Sequence, residues 1–467
     1  MYQIIRKKTA MRLRMAILLM ATAFALVCLA GCNAEKSGES KTESGEKESK
    51  TESGEVTASG RGLKVAVVNV GVEIKGGKSG IEILAEEYSK THPDTPMTLV
   101  TFGEGNTISM DVAMAKLSAE IVGDDPPDLI FLQNITDRLD ALASQGYLED
   151  LTPYAEKSES VHLEDYYPKV LECGRKGGIL ACIPKSFTIE TLVTSKNYFG
   201  DAKTWTYSEL LDFCNAYPNS RFLHCIMPEM VFGSVLKESV EYFIDEDQRK
   251  CHFDSEEFRA FLEYAGSYSA WAGRTFDPID PEDYASSLRD GKVLAMHFGF
   301  SHLRNLKVVR TDFGDAANFV GFPNKDGKPV YKVRLEASFS PFAITATSGN
   351  KEEAFRFIEW YLDLDEWPDG LHFDTLPLCA NRKKMEEKIE KALAGREGVN
   401  DGEPEMTEED LETLEILLEG LEPLSTYNDP LYKIVYTEAR TYFSGSKTLD
   451  EVIDVIQSRA TLYLQEK

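Results

Sequence analysis

The chain of 467 residues carries 78 acidic and 51 basic side chains, and its formal net charge is −27 at pH 7. Because the chain has no stripe of lysine and arginine, this charge argues against nucleic acid as a partner, and it also argues against membrane attachment through anionic head groups. A chain of this length exceeds one ordinary hydrophobic core, so the sequence predicts two domains or lobes.

The first predicted element is a secretory leader. Five basic residues precede an apolar run over residues 15–30, which has about the length of a signal-peptide core and is short for a membrane span. The run ends in Leu29-Ala30-Gly31-Cys32, which resembles the lipobox of bacterial lipoproteins. The resemblance implies a signal peptide over residues 1–32, lipidation of Cys32, and a lipid anchor on the extracytoplasmic face of the cell membrane. A plain secretory signal and a short anchor helix are the alternatives.

Residues 33–61 form the next segment, which is mostly Ser, Gly, Glu, Lys and Thr and has no aromatic side chain. Such a composition cannot bury enough apolar surface to offset the entropy lost on ordering, so we expect a disordered tether. A flexible coil of this length spans roughly 30 Å.

The folded body begins near Gly62 with strands that alternate with helices. The buried-strand patterns are residues 63–68, 97–102 and 128–132, and the helical patterns are residues 81–90, a segment from about residue 107, and residues 137–145. This alternation predicts an open α/β sheet, in which ligands collect beyond the carboxyl ends of the strands.

Two extended apolar segments, 179–184 and 188–194, then predict a crossover into a second, mainly helical lobe. The predicted helices beyond it are 207–216, 255–270, 281–290, 408–418, 430–443 and 449–464, and the predicted strands are 293–298, 319–322 and 342–345. The acidic stretch 397–410 is predicted to be an exposed loop.

The cysteines show no metal-binding pattern. Beyond Cys28 and Cys32 they are Cys173, Cys182, Cys214, Cys225, Cys251 and Cys379, with no C-x-x-C pair. Because zinc spacing is absent, we expect neither a metal nor a cofactor. Disulfides, with Cys173 and Cys182 as one possible pair, and buried free thiols are both open alternatives.

Several short pieces occur in a characteristic order along the body. They are Pro127-Asp128-Leu129-Ile130-Phe131, residues 146–153, Ile183-Pro184, Glu190-Thr191-Leu192, residues 205–210, residues 291–296, Gly321-Phe322-Pro323, residues 342–344 and residues 350–354. In order and spacing they resemble the family 1 extracellular solute-binding proteins of ABC importers, the group that contains maltose-binding protein.

The resemblance implies an α/β fold of the type II periplasmic-binding-protein kind. In that fold two hinged lobes, each with a central β-sheet flanked by helices, close on a solute. The first lobe would comprise residues 62–184 and 306–365, and the second residues 185–305 and 366–467. The resemblance further implies a monomer without enzymatic activity. It would capture a small solute, chiefly a carbohydrate or oligosaccharide, and deliver it to the permease subunits of an ABC transporter.

Side chains at the strand ends are candidates for binding that solute. Glu73 follows the first strand, Glu104 follows the second, and Gln133 and Asn134 follow the third. Planar polar side chains take sugar hydroxyls in pairs, and the ends of parallel strands bring such loops together. The alternatives are solvated loop charges for the two glutamates and a helix cap for the two amides.

The resemblance adds five further positions. Glu190 aligns with a sugar-contacting glutamate of the family, and Phe187 lies close to it in the sequence. Tyr432 falls at the position of a stacking tryptophan, Phe300 lies in an aromatic-rich loop, and Phe339 precedes the strand at 342. Aromatic faces stack on the apolar side of a pyranose. A tyrosine of the helix core is the alternative role for Tyr432.

Enzyme motifs are scarce. Ser444-Gly445-Ser446-Lys447 fits S-x-x-K by letter, but it lies in a predicted turn and lacks the companion motifs. So acidic a chain can supply two carboxylates for glycoside cleavage, which makes a surface-anchored glycoside hydrolase one alternative function. A sensory or adhesion lipoprotein with the same fold is another.

Overall fold

The computed structural model describes residues 62–68, 78–103, 108–133, 135–225, 227–268, 281–335, 340–364, 377–393, 406–423 and 428–466. The strands are β1 (Leu63–Val68), β2 (Met97–Phe102), β3 (Leu129–Phe131), β4 (Arg175–Lys176), β5 (Ile179–Leu180), β6 (Phe187–Ser195), β7 (Ile244–Asp245), β8 (Lys250–Cys251), β9 (Ala295–Phe300), β10 (Ala317–Phe319), β11 (Tyr331–Leu335), β12 (Phe342–Ile344) and β13 (Leu421–Pro423). The α-helices are α1 (Gly80–Thr91), α2 (Met110–Ile121), α3 (Leu139–Ser144), α4 (Thr152–Ala155), α5 (Pro168–Cys173), α6 (Lys196–Phe199), α7 (Tyr207–Ala216), α8 (Pro228–Leu236), α9 (Glu256–Ser267), α10 (Pro281–Arg289), α11 (Arg304–Phe313), α12 (Lys351–Asp363), α13 (Arg382–Leu393), α14 (Glu408–Glu419), α15 (Asn428–Phe443) and α16 (Leu449–Glu466).

The first sheet has the strand order β12-β3-β1-β2, with β1 parallel to β2 and β3 and β12 antiparallel to β3. Apart from Lys64, strand β1 is apolar because helices cover both of its faces, as in other buried parallel sheets. Val65 shares a core with Leu84 and Tyr88 of α1, whereas Ala66 shares a core with Leu117 of α2. The carboxyl ends of the three parallel strands therefore meet at one edge, and β1 and β2 have the predicted bounds.

Asp128, in one of the family-like pieces, has a structural role. Its side chain is fully buried and accepts two hydrogen bonds, from the backbone N–H of Lys64 (2.9 Å) and from the Ser348 hydroxyl (2.7 Å). These bonds join the start of β1, the start of β3 and the turn that follows β12. The carboxylate fixes the strand order of the first sheet, and buried polar groups of this kind are costly to leave unpaired.

The second sheet is built around the nine-residue strand β6. Strand β9 pairs along one edge of β6, while β11 and β10 pair in succession along the other edge, all of them antiparallel to β6. Strand β13 extends the sheet beside β11 in parallel. The expected lobe boundaries give residues 306–365 to the first lobe, and this division stays a prediction. Strands β10 and β11 belong to the second sheet, so the chain returns to the first sheet between Leu335 and Phe342.

The two faces of the second sheet pack against different parts of the chain. On one face, Leu192 lies in a core with Phe232 of α8 and Phe261 of α9. On the opposite face, Ile189 shares a core with Val170 of α5, a helix that precedes the crossover. The second sheet thus lies between a helical body and the elements of the first lobe.

Trp205 explains the family-like piece at residues 205–210. The indole is 1% exposed, and its Nε1–H donates to the Gly321 carbonyl oxygen at 3.1 Å. Thr206 and Glu209 then form a capping box that begins α7, which confirms the predicted helix over residues 207–216. This piece anchors a helix to the segment beyond β10.

The crossover between the two sheets is held by a neighbouring segment, residues 377–381. The N–H of Phe187 donates to the Leu378 carbonyl (3.1 Å), and the N–H of Leu378 donates to the Ser301 carbonyl (2.9 Å). Lys185, just before β6, donates to the carbonyls of Tyr361 (2.7 Å) and Leu362 (3.2 Å) at the end of α12. A cation at a helix C-terminus is favourable because the last carbonyls carry partial negative charge.

Two other expectations have clear outcomes. The predicted loop over 397–410 is corrected at its end, because Glu408 begins α14 and Asp410 is 4% exposed and paired with Arg310 at 2.8 Å.

The cysteines at positions 173, 182, 214, 225, 251 and 379 are free thiols. Cys173 and Cys182, the possible pair, are both buried as free thiols. Within the ranges given above, no helix is both long and apolar enough to cross a bilayer.

Replacement of Asp128 by alanine tests its structural role. Asp128→Ala leaves the Lys64 N–H and the Ser348 hydroxyl without their acceptor, so we expect the free energy of unfolding to fall by about 2–4 kcal/mol. Urea denaturation followed by circular dichroism measures this. Asp94→Ala is the matched control, since Asp94 is exposed and its loss should change stability by no more than about 0.5 kcal/mol. Equal stability of the two variants would contradict the role.

Candidate functional site

A patch of charged side chains lies on one face of the second sheet, at the end of β6 nearest the crossover. Neighbouring residues of a strand point to opposite faces, so Glu190 shares its face with the residues paired across from it. Those partners are Lys332 on β11 and Gly299 on β9. Arg334 and His297 occupy the same face, two residues further along their strands.

Four of these side chains form what we call the Glu190 cluster: Glu190, Glu238, His297 and Arg334. His297 Nε2 lies 3.0 Å from Glu190 Oε2, and Arg334 Nε lies 3.5 Å from Glu190 Oε1. The Arg334 guanidinium also contacts the carboxylate of Glu238, which follows α8 and is 1% exposed. The ion pairs of the cluster thus connect β6, β9, β11 and the end of α8.

Glu190 is ionised at neutral pH. Burial by itself opposes ionisation, but His297, Arg334 and Lys237 together outweigh it and hold the pKa of Glu190 well below the ordinary value of 4.5. A second ion pair, between Lys332 and Glu241, lies beside the cluster. Glu190 is therefore a carboxylate with acceptor capacity in a partly buried site.

Two buried carboxylate oxygens of this patch lack a hydrogen-bond partner among the residues that the structure describes. They are Oε2 of Glu238 and Oε2 of Glu241, whose other oxygens contact Arg334 and Lys332. Because buried polar groups are rarely left unsatisfied, these oxygens are acceptors for water or for a ligand hydroxyl.

Gly299 leaves the cluster accessible. It is exposed, and a Cβ atom at this position would lie 3.3 Å from Glu190 Oε2. A glycine inside a strand is typical of places where a ligand approaches the backbone closely. The site is therefore open above β9, on the Glu190 side of the sheet.

Strand β11, which carries Arg334, ends beside the first lobe. Leu335 ends β11 directly after Arg334 and packs against the core that contains Leu132. The N–H of Leu132 donates to the Pro341 carbonyl at 3.0 Å, and Gln133 follows it at the carboxyl edge of the first sheet, partly buried. Gln133 and Arg334 are thus close to the two ends of the segment between β11 and β12, in which the chain returns from the second sheet to the first.

Tyr432 also lies near the cluster. Its ring stacks on that of Tyr436, with centroids 5.2 Å apart. Both rings rest on Gly233 of α8, where a Cβ atom would lie 2.9 Å from the Tyr432 hydroxyl. Gly233 precedes Glu238, a member of the cluster, by five residues, and α8 ends between them at Leu236. Tyr432 remains partly exposed, as a stacking platform requires.

The two phenylalanines expected to stack on the solute are core residues in this structure. Phe187 is 0% exposed and Phe300 is 2% exposed. The Phe300 ring packs against Phe298 and Phe319, with centroids 4.7 and 5.4 Å away. Side chains alternate between the two faces of a strand, and both phenylalanines point away from the face that carries Glu190. Neither ring offers a free face, and we remove both from the candidate site.

Four other expected residues, Glu73, Glu104, Asn134 and Phe339, lie outside the described residues. Sequence reasoning missed Glu238 and Arg334. A signal for Arg334 was present, because Lys332 and Arg334 alternate with apolar residues in β11, as charged residues on one face of a strand do. Across the ranges that the structure covers, no group of three or more His, Cys, Asp or Glu residues could hold a metal ion.

The lowered pKa of Glu190 predicts how stability depends on pH. A carboxylate whose pKa is lowered by folding stabilises the protein above its unfolded pKa of about 4.5, and that contribution is lost as the pH falls toward the lowered value. We expect Glu190→Gln to flatten the loss of thermal stability between about pH 5 and pH 3. Glu387→Gln, at an exposed position of α13, should keep the wild-type slope. A wild-type slope in Glu190→Gln would contradict the charge pairing.

Known proteins share this fold. An extracellular solute-binding protein of family 1 from Alicyclobacillus acidocaldarius is 14% identical over 86% of this chain and 98% of its own, with a TM-score of 0.52. An ABC substrate-binding protein from Listeria monocytogenes, solved in complex with cycloalternan, is 17% identical over 87% and 99%, with a TM-score of 0.51. The sugar-binding protein MalE from Xanthomonas citri is 16% identical over 86% and 97%, with a TM-score of 0.53. No curated protein sequence matches the chain.

These likenesses show the two-lobed α/β fold that the order of segments predicted. The model of the family described as bacterial extracellular solute-binding protein matches residues 84–366, which is more than half of the chain. Members of this family bind solutes outside the cytoplasm, as a step in transport. The chain therefore belongs to the bacterial extracellular solute-binding proteins.

Proposed function

We propose that the solute is a carbohydrate, bound between Gln133 of the first lobe and the Glu190 cluster of the second. The observation that carries this proposal is the group of donors and acceptors around Glu190, beside the exposed Gly299, together with the partly exposed tyrosine pair packed on α8. Sugar hydroxyls donate and accept at once, so they complement such a set. The Listeria and Xanthomonas structures, described with a saccharide ligand and as sugar-binding, support the same class of solute.

Tyr432 provides the second kind of contact that a sugar needs. An aromatic face stacks on the apolar side of a pyranose, while the ring hydroxyls point outward to polar groups. The ring of Tyr432 is held by stacking on Tyr436 and by contact with Gly233. A platform fixed in this way loses little entropy on binding.

Binding by both lobes would couple the solute to a change of shape. A ligand shifts a two-state equilibrium only through contacts that differ between the states. Gln133 and Glu190 lie on different sheets joined by the crossing segments, so a solute that contacts both favours the closed arrangement. Permease subunits of an ABC transporter would recognise that arrangement and accept the solute.

A lipid on Cys32 would keep the binding protein near its permease. The segment between Cys32 and the first described strand is polar and long enough to span roughly 30 Å as a flexible coil. The folded body is acidic, so attachment to anionic lipid surfaces would have to come from the lipid chain. We further propose that the protein acts as a monomer and does not alter its solute. No contact described above favours a glycoside hydrolase.

A screen of thermal stability against a panel of neutral saccharides identifies the solute, because a ligand that binds the native state raises the melting temperature. With the best saccharide, we expect Gln133→Ala to weaken binding at least tenfold, about 1.4 kcal/mol, by calorimetry. Gln145→Ala is the matched control, since Gln145 is exposed at the end of α3. Unchanged affinity in Gln133→Ala would remove Gln133 from the site.

Chromatography of the saccharide after incubation with pure protein tests whether the protein only binds it. A shortened saccharide would overturn the binding-only function.

The lipid anchor has its own test. In the native host, Cys32→Ser should move the protein from the membrane fraction to the medium or periplasm and abolish labelling by radioactive palmitate. Cys28→Ser, four residues earlier in the same leader, should leave both membrane retention and labelling unchanged. Retention of Cys32→Ser in the membrane would favour an uncleaved anchor helix instead.

A further inference from the structure

A cavity of about 160 Å³ lies on the face of the second sheet opposite the Glu190 cluster. One of its lining residues is Phe319, which pairs with Val193 of β6 and shares a core with Ile189. Because Ile189 and Glu190 are neighbours in a strand, Glu190 points to the other face. The second sheet therefore separates this cavity from the candidate site.

The floor of the cavity is apolar. Leu306 and Val309 of α11 and Phe319 of β10 line it and are buried, and Ile416 of α14 adds an exposed apolar side chain at its edge. An apolar cavity of about 150 Å³ is large enough to bind benzene. The cavity thus has room for a branched aliphatic group, which would remove these side chains from water.

Two lysines line the cavity, and neither forms a salt bridge with a described residue. They are Lys196, at the start of α6, and Lys203, four residues after that helix. Burial, with Lys196 beside it, lowers the pKa of Lys203 below its ordinary value of 10.5, although Asp201 acts in the opposite direction. The cation of Lys203 is therefore incompletely compensated by the protein.

Asn318 holds Lys203 in place. Its side chain is fully buried, and its amide nitrogen donates to the carbonyls of Gly200 (3.0 Å) and Ala202 (2.8 Å). Its Oδ1 accepts from Nζ of Lys203 at 2.5 Å. An ammonium group has three donors, so Lys203 keeps two of them for a ligand.

Two glutamates of α14 line the same cavity. Glu409 and Glu412 are exposed, and neither forms a salt bridge with a residue in the described ranges. Asp410, between them, is paired with Arg310 at 2.8 Å. The cavity therefore has two cations on the α6 side and two anions on the α14 side, which do not pair with one another.

We propose that this cavity is a second ligand site, which binds a small apolar α-amino acid. The carboxylate of the amino acid contacts Lys196 and Lys203, and its ammonium group contacts Glu409 and Glu412. Its side chain lies on the apolar floor. The site is independent of the proposed carbohydrate binding.

The physical reason is that only a zwitterion provides a counter-charge for both sides of the cavity. A charged group that leaves water needs an opposite charge or hydrogen bonds in its place. A simple carboxylate would leave the two glutamates without a cation, and a simple amine would leave the two lysines without an anion. Such a site discriminates by what each analogue leaves unpaired.

The experiment compares three ligands that share one branched carbon chain. L-leucine carries both charges, 4-methylpentanoate lacks the ammonium group, and 3-methylbutylamine lacks the carboxylate. In titration calorimetry of the purified full-length protein, we expect L-leucine to bind roughly tenfold more tightly than either analogue. Each analogue loses hydrogen bonds to charged groups, which are stronger than those between neutral groups.

Variants of the lining residues locate the bound amino acid. Lys203→Met removes the cation and keeps the apolar stem, and Lys196→Met does the same at a position that does not hold Asn318. Each should weaken L-leucine binding by roughly fivefold or more. The matched control is Lys157→Met, at an exposed position after α4, which should keep the wild-type affinity.

Glu412→Gln provides a readout that a merely structural role would not give. It should weaken the binding of L-leucine and leave the affinity for 4-methylpentanoate unchanged, because only L-leucine has an ammonium group.

Several results would overturn the second site. They are an affinity for either analogue equal to that for L-leucine, and wild-type affinity for L-leucine in both lysine variants. Loss of L-leucine binding in Glu190→Gln would place the amino acid in the candidate site instead. Absence of L-leucine binding to the wild-type protein also overturns the proposal and leaves carbohydrate binding at the Glu190 cluster unaffected.

Discussion

The alternation of side chains along β6 is the constraint on which both the second sheet and the candidate site depend. This strand is hydrogen-bonded on both edges, so its side chains have only two directions available. Phe187 and Ile189 complete a core shared with the first lobe, while Glu190 lies on the opposite face, which it shares with Leu192 and the helical body. A shift of register by one residue would place the carboxylate in the core shared with the first lobe. The hydrophobic face therefore fixes the position of the charge.

The Glu190 cluster is costly for the fold. The cost of taking charges out of water is offset only when geometry and hydrogen bonding are good, and Oε2 of Glu238 lacks a hydrogen-bond partner within the described chain. Apolar residues of similar volume would pack at such a position with less desolvation. Groups held in this way are typical of functional sites, where the missing partner is the ligand.

Much of the fold followed from the sequence, because long apolar runs and capping residues are local signals. Strands β1 and β2 and helix α7 have the predicted bounds, since Val65–Val68 and the Thr206 cap need no distant partner to be recognised. Strand β11 was missed, because Lys332 and Arg334 at alternate positions make it look polar. Gln133, Glu190 and Tyr432 were candidates from the sequence, whereas Glu238 depends on a partner almost a hundred residues away, which no local pattern reveals.

Two family-like pieces of the sequence, those that contain Asp128 and Trp205, have mechanical roles in this structure. Asp128 joins two strands to a turn, and Trp205 anchors a helix, yet neither side chain is part of the Glu190 cluster. A chain can thus keep these pieces and still change the chemistry of its cleft. Sequence landmarks that identify the family are for this reason poor guides to the solute.

Lys185 attaches the start of the crossover to the first lobe. Its ammonium group holds the last carbonyls of α12, a helix of the first lobe, while the next residues enter β6. The backbone up to Lys185 is therefore fastened to the first lobe, and a rotation of the second lobe has its pivot no earlier than Ser186. Motion on solute capture would be carried by a very short length of chain, so a small change of backbone angle there would sweep the whole second sheet, with Glu190 on it, through a large arc.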